Sequence, residues 1–353
     1  MSERRAGPAS APLEVAAARS LWAPAGHYLN TASYGLPPAP AFEALQATLA
    51  DWRGGRSSWE DWGQATERSR KLFADLVGVA PERVAVGATV SQMVGLVAAA
   101  LPEGARVVAP DIEFTSNLFP WMMRAQVECV PVERLAEAID SRTRLVAFSA
   151  VQSATGAVAD VDAVVSAARH HGALTVVDAT QACGWVNLDA ARFDALACGA
   201  YKWLMSPRGT AFLALGEELL ERVEPLAAGW YAGEDPHDSY YGPPLRLATS
   251  ARRLDTSPAW FSWVGTEPAL ELVGRIGVEA IGAHDVALAN RFRAGLSLEP
   301  SDSAIVSVDV PGAEQRLARA GIRASVRAGS LRASFHLYNT PADVDAALDA
   351  LVG

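Results

Sequence analysis

Along the first two thirds of the chain, short runs of consecutive apolar residues alternate with longer stretches of helical period. Leu145–Ser149, Leu174–Asp178, Ala195–Cys198 and Thr210–Ala214 are such runs. Arg83–Val86, Arg106–Ala109 and Glu128–Val130 join them as β-branched strands. Val90–Leu101 and Val161–His171 place apolar residues at the spacing of one helix face. A strand apolar on both sides must be covered on both sides, so the alternation predicts an α/β fold with a parallel or mixed sheet between helical layers. Near Trp260–Pro268 the pattern changes. A long helix, Pro268–Leu296, leads to strands near Ala304–Asp309, Arg323–Val326 and Leu331–His336 and to a closing helix from Pro341. These elements predict a small C-terminal α+β domain. The expected division is an N-terminal arm at 1–27, a large domain at 28–266 and a small domain at 267–353.

Composition narrows the partners. The formal net charge is −10 and no Lys/Arg-rich run occurs, which opposes nucleic acid or an anionic membrane as partner. The longest apolar run, Met93–Leu101, is far short of the ~20 residues a membrane helix needs. The opening "MSERRAGPASAPLEVAAARS" lacks an apolar core and reads as an arm, not a signal peptide. Cys129, Cys183 and Cys198 show no CxxC spacing, so neither a disulfide framework nor a metal site is expected, and a reducing cytoplasm is the default location.

The stretch "GAYKWLMSPRGTAFLAL" sets Lys202 among apolar residues. Its stem can pack while the ammonium reaches water. Alternatively, burial favours the neutral amine, a nucleophile for carbonyls. In "LTVVDATQACGW", Asp178 closes an apolar strand, where ligands of open α/β sheets gather; there it can cap a helix or pair with a protonated ring nitrogen. "VAVGATVSQMVG" reads strand, turn, helix, a phosphate-binding arrangement that is neither GxGxxG nor a P-loop. "LRASFHLYNTPADVD" places Arg332 on an alternating strand, either at the surface or as a fork for a carboxylate.

Taken together, "VGATV", "EFTSNLFPW", "SATG", "VDATQA", "YKWL…PRGTAFL", "WVGTEPAL" and "RASFHLYNT" resemble the class V aminotransferase family of pyridoxal-phosphate enzymes, from about Tyr28 to the C-terminus. That family includes cysteine desulfurases, isopenicillin-N-epimerase-like proteins and kynureninase. The resemblance implies fold type I, with a mostly parallel central sheet in the large domain. It implies pyridoxal 5'-phosphate held as a Schiff base by Lys202, with Asp178 on the ring nitrogen. Gln181 and Ser153 would lie at the phenolic oxygen, Phe114 on the ring face, and Ala88, Thr89 and Tyr201 at the phosphate. Thr266 would reach a neighbouring subunit's phosphate in a homodimer. Arg332 would clamp a substrate carboxylate, with Asn30 and Ser33 lining the substrate side. The residues 321–340 lack the cysteine that desulfurases carry there, which argues against sulfur transfer through a persulfide. The expected reaction is transamination or β-elimination on an α-amino acid, with epimerisation or kynureninase-like hydrolysis next. A non-catalytic binding protein of the same fold is opposed by the complete set of Lys202, Asp178 and Arg332.

Overall fold

The computed structural model describes residues 12–352. Its strands are β1 (His27–Tyr28), β2 (Val84–Gly87), β3 (Arg106–Pro110), β4 (Gln126–Val130), β5 (Thr143–Ser149), β6 (Leu174–Asp178), β7 (Ala195–Gly199), β8 (Ala211–Leu215), β9 (Ile305–Val308), β10 (Ile322–Arg323), β11 (Ser325–Arg327) and β12 (Ser330–Ser334). Strands β2 to β8 form one seven-stranded sheet in the order β2-β8-β7-β6-β5-β3-β4. Strand β8 is antiparallel to both neighbours, and the other pairings are parallel.

The apolar runs behave as double-sided strands. Val86, Val108, Val146, Phe148, Val177, Leu196 and Phe212 pack into one core cluster, while Ala85, Val107, Leu145, Ala147, Val176, Ala197 and Leu213 pack into another. Neighbours along one strand thus serve opposite faces, as a pleat covered on both sides requires. Edge strand β4 keeps a mixed sequence, Gln-Val-Glu-Cys-Val, and stays half exposed.

The helices Ala39–Arg53 and Trp59–Leu76 pack against the helix Trp260–Ile276. The first buries only Ala41, so periodicity could not announce it, while the second is amphipathic and buries Phe73 and Ala74 beside small and polar residues such as Gly63, Thr66 and Ser69.

The long helix expected at Pro268–Leu296 is two helices, Trp260–Ile276 and Val278–Gly295. Gly277, at φ 87°, separates them in a conformation few other residues adopt. Pro268 suits a helix start, but the helix runs through it. The expected boundary between residues 266 and 267 consequently falls inside a helix.

The small sheet, β11-β12-β9, is antiparallel. The segment after the arm reaches the small domain: β1 pairs in parallel with β10 as a separate two-stranded sheet, and Leu29 packs in the small-domain core beside Phe292 and Phe335. Among the described residues, no helix is long and apolar enough to cross a membrane.

Candidate active site

The carboxyl ends of β2, β3, β5, β6 and β7 point to one edge of the sheet, and the turns leaving them carry the polar residues. A cavity of about 120 Å³ lies there, lined among others by Ala88, Thr89, Phe114, Ser153, Asp178, Gln181, Tyr201, Lys202 and Arg208. Eight of the residues expected from sequence to hold the cofactor or do chemistry, Asp178 and Lys202 among them, therefore meet there. This is where a parallel sheet gathers ligands.

Lys202 is 5% exposed. Burial lowers its pKa to about 8; Asp178 works against that shift, while Arg332 and Arg327 add to it. The nitrogen lies 5.4 Å from the Phe114 ring centre and 5.7 Å from that of Tyr201. The chain passes close behind it: a Cβ on Gly35 would lie 1.9 Å from the Lys202 carbonyl oxygen, so only glycine fits there.

Asp178 is also buried, and its Oδ1 accepts from the Thr180 N–H at 2.8 Å. Burial raises its pKa, against the pull of Thr180 and Lys202. Thr89 caps the helix Val90–Ala99, its Oγ1 accepting from the Gln92 N–H at 3.3 Å, which leaves a helix N-terminus at the cavity wall.

Gln181 is more committed than the sequence suggested. Its Nε2 donates to Ala32 O and to Ser153 Oγ, both at 3.0 Å, and its Oε1 accepts from Trp203 Nε1 at 2.8 Å. With both amide hydrogens engaged, it has none to give a cofactor oxygen. Ser153 Oγ accepts from Gln181 and, at 3.1 Å, from Arg332 Nη1, and it keeps its own hydrogen to donate.

Arg332 stands directly behind Ser153, 1% exposed. Its Nη1 also donates to the Ser153 carbonyl and its Nη2 to Ser33 Oγ at 2.8 Å, while its Nε is buried without a partner. Burial first, and then the neighbouring Arg327 charge, lower its pKa to about 10.

Two expected residues stand apart from the cavity. Thr266 has no exposed surface in the single chain, and its hydroxyl donates to Ser262 O in its own helix at 2.8 Å. Asn30 is held by a parallel bridge to Ser334 and lines a separate groove of about 930 Å³ beside the small domain, not the lysine cavity.

Sequence reasoning also passed over a buried support. His336 Nε2 donates to the carbonyl of Trp203, the residue after Lys202, at 3.0 Å, and His336 Nδ1 lies 2.8 Å from Asp285 Oδ2. Neither side chain is exposed, so the small domain grips the backbone that carries the lysine. The histidine in "SFHL" was the available signal. Glu113 is a second such support, its Oε2 accepting from the Ser149 N–H at 2.7 Å and its Oε1 from the Phe114 N–H at 2.9 Å. The two bonds tie the loop carrying Phe114 to the end of β5.

The donor set fits pyridoxal phosphate. A buried amine inclined to neutrality suits an aldehyde, a buried carboxylate suits a ring nitrogen, a helix N-terminus suits a phosphate, and a guanidinium with an orphaned Nε suits a carboxylate.

Comparison with known proteins agrees. The family model described as "Aminotransferase class-V" matches residues 27–316. Isopenicillin N epimerase of Streptomyces clavuligerus is 29% identical over 403 residues, covering 98% of this chain and 100% of the relative. The uncharacterized aminotransferase YcbU of Bacillus subtilis (strain 168) is 28% identical over 321 residues, covering 84% of this chain and 85% of the relative. Among solved structures, the apo cysteine desulfurase of Thermococcus onnurineus NA1 superposes with a TM-score of 0.79 at 25% identity, covering 92% of this chain and 93% of that one.

Proposed function

The chain belongs to the aminotransferase class V family, and from that premise we propose that it is a pyridoxal-phosphate enzyme that transaminates an α-amino acid or eliminates a group from its β-carbon. The observation that carries this reading is Lys202, buried yet lowered to about pH 8, in one cavity with Asp178 and a helix N-terminus. When bound, pyridoxal phosphate supplies the carbonyl that the lysine amine attacks and a ring that stores the electron pair released at the substrate α-carbon.

The protein's own residues do the rest. Asp178 keeps a proton on the ring nitrogen. The amides at the start of the helix Val90–Ala99 hold the phosphate, with Tyr201 beside them, and Phe114 covers the ring. Ser153 donates its hydroxyl hydrogen to the phenolic oxygen, with Gln181 orienting that hydroxyl. Arg332 holds the substrate carboxylate from behind Ser153, and Ser33 braces the guanidinium. The Lys202 amine would take and return the proton at the substrate α-carbon. Among the described residues it is the one amine or imidazole lining the cavity, which favours reactions needing a single proton carrier over two-base epimerisation.

A second copy of the chain is the partner this surface fits. Phe119, Met123 and Leu226 are 57%, 81% and 63% exposed along a groove that shares Ser91 and Ser116 with the cavity. Light scattering of Met123→Glu tests this, with a monomer expected. The three free cysteines are in keeping with a cytoplasmic setting.

The functional test is product analysis by mass spectrometry on cofactor-loaded protein, with a panel of amino acids and α-keto acids. A keto acid or an eliminated side chain is expected. A racemised amino acid as sole product would defeat the proposal.

A further inference from the structure

The hairpin that carries Arg332 has a second arginine on the same face. In β11 and β12, Ser325 pairs with Arg332 and Arg327 with Ser330. Side chains alternate across a strand, so Ser325, Arg327, Ser330 and Arg332 all stand on one side of the ribbon. The turn between the strands, Ala328 at φ 48° and Gly329 at φ 85°, is the tight left-handed kind that fixes this register.

The two guanidiniums converge. Arg332 Nη2 and Arg327 Nη2 donate to the same Ser33 Oγ, at 2.8 and 3.2 Å, so the two nitrogens lie within about 6 Å of each other. Among the described residues, neither arginine has a carboxylate within 4.0 Å, although the chain pairs many of its other arginines. Two further polar atoms on this face, Arg332 Nε and Ser325 Oγ, are buried without any partner. Buried donors left open beside two uncompensated cations form a site built for negative charge.

A single α-carboxylate does not use this site fully. The Nε–Nη2 edge of Arg332 suffices for one bidentate carboxylate, which leaves the more exposed Arg327 facing outward with its charge unmatched.

We propose, resting on the amino-acid reading above, that Arg327 selects substrates bearing a second anionic group at the end of a short side chain. These are α-amino acids of four or five carbons ending in a carboxylate, or the corresponding sulfinates. Arg332 holds the α-carboxylate, and Arg327 the distal anion, across the hydroxyl of Ser33.

The test compares acids with their uncharged isosteres. Cofactor-loaded protein is titrated with L-aspartate and L-glutamate and, in parallel, with L-asparagine and L-glutamine, following the visible absorbance of the bound cofactor and the rate of its change. Wild type should favour the acids by at least about tenfold, and Arg327→Gln should bring that ratio to about 1. Arg332→Gln should weaken acids and amides alike. Equal use of acids and amides by wild type overturns the proposal and leaves the amino-acid reading standing. So does a ratio that survives Arg327→Gln, because the distal anion would then be read by another group. If neither acids nor amides perturb the spectrum, the amino-acid reading falls and this inference with it. An independent readout needs no cofactor: succinate, but not propionate, should raise the melting temperature of wild type and not of Arg327→Gln. Equal shifts by the two anions would count against the proposal.

Discussion

Arg70 and Arg332 are almost equally buried, at 4% and 1% exposure, yet their surroundings have little in common. Arg70 donates to Glu67, to the Val84 carbonyl at 2.6 Å and to Asp255 Oδ2 at 2.6 Å; Asp255 in turn accepts from the Val86 N–H at 2.8 Å. Its charge is answered inside the chain, and the pairing raises its pKa above the ordinary arginine value. The cluster ties the helix Trp59–Leu76 to strand β2. Around Arg332 the nearest charges are cations, Arg327 and Lys202, and its pKa is lowered. Burying a charge without a partner is costly, and a fold tolerates it where a ligand supplies the missing half. A closed cluster is architecture, whereas an open one is a site.

The sharpest way to break that distinction is to open the closed cluster. Asp255→Ala strands the Arg70 guanidinium in the core and should cost about 3–5 kcal/mol of stability, the usual penalty for removing one partner of a buried pair. Denaturant unfolding checks this. Turnover per folded molecule should be retained, since the cluster lies outside the cavity.

The same operation on the open cluster should invert the result. Asp178→Asn is expected to lower turnover by about a hundredfold or more, roughly 3 kcal/mol, because an amide cannot hold the cofactor ring nitrogen protonated. The melting temperature of the cofactor-free protein should stay level or rise. Near-normal turnover would show that Asp178 belongs with the architecture. Arg332→Lys keeps the charge and loses the fork, so steady-state kinetics should find it nearly as impaired as Arg332→Ala.

Lys202 allows the contrast to be read through pH. Its pKa of about 8 lies below the unfolded value of 10.5, so at neutral pH the unfolded chain holds a proton that the fold resists. In cofactor-free protein, Lys202→Met should therefore be more stable than wild type below pH 8, by about 3 kcal/mol. The gap should close as pH rises from about 8 towards 10.5. A gap that stays constant would show that the ammonium is solvated in the fold.

The smallest effect is expected at the thiols. Cys183 and Cys198 are buried against the sheet, and burial raises the Cys198 pKa, so Cys198 is not primed as a nucleophile. Replacing both with alanine and Cys129 with serine should leave turnover within about threefold, with a modest packing loss. Persulfide formation that vanishes with one of these changes would reverse this reading.

What the sequence determined by itself was the frame and its chemical inventory. Consecutive apolar residues in Leu174–Asp178 and Ala195–Gly199 can be satisfied only between two covering layers, and a polar residue ending such a strand has one place to go, the ligand edge. Asp178 and the turn at Thr89 were singled out on that ground and Lys202 for its apolar company, whereas Ser153 and Phe114 rested on the family resemblance alone. Tertiary structure alone decided the rest, because it concerns distances between residues far apart in the chain. Thr266 looks like a reaching hydroxyl in sequence and is a helix-bound one in space, since the carbonyl four residues earlier is its nearest acceptor. Gln181 looks like a cofactor donor and proves to be a brace whose hydrogens are already engaged. His336 reads as one more residue of a motif until the fold sets it between Asp285 and the carbonyl beside Lys202. Arg327 gained meaning only when the hairpin turned it onto the face of Arg332 and the N-terminal segment brought Ser33 between them. Periodicity records which side of an element is apolar; it carries no record of which polar groups, hundreds of residues apart, will be left facing one another without a counter-charge.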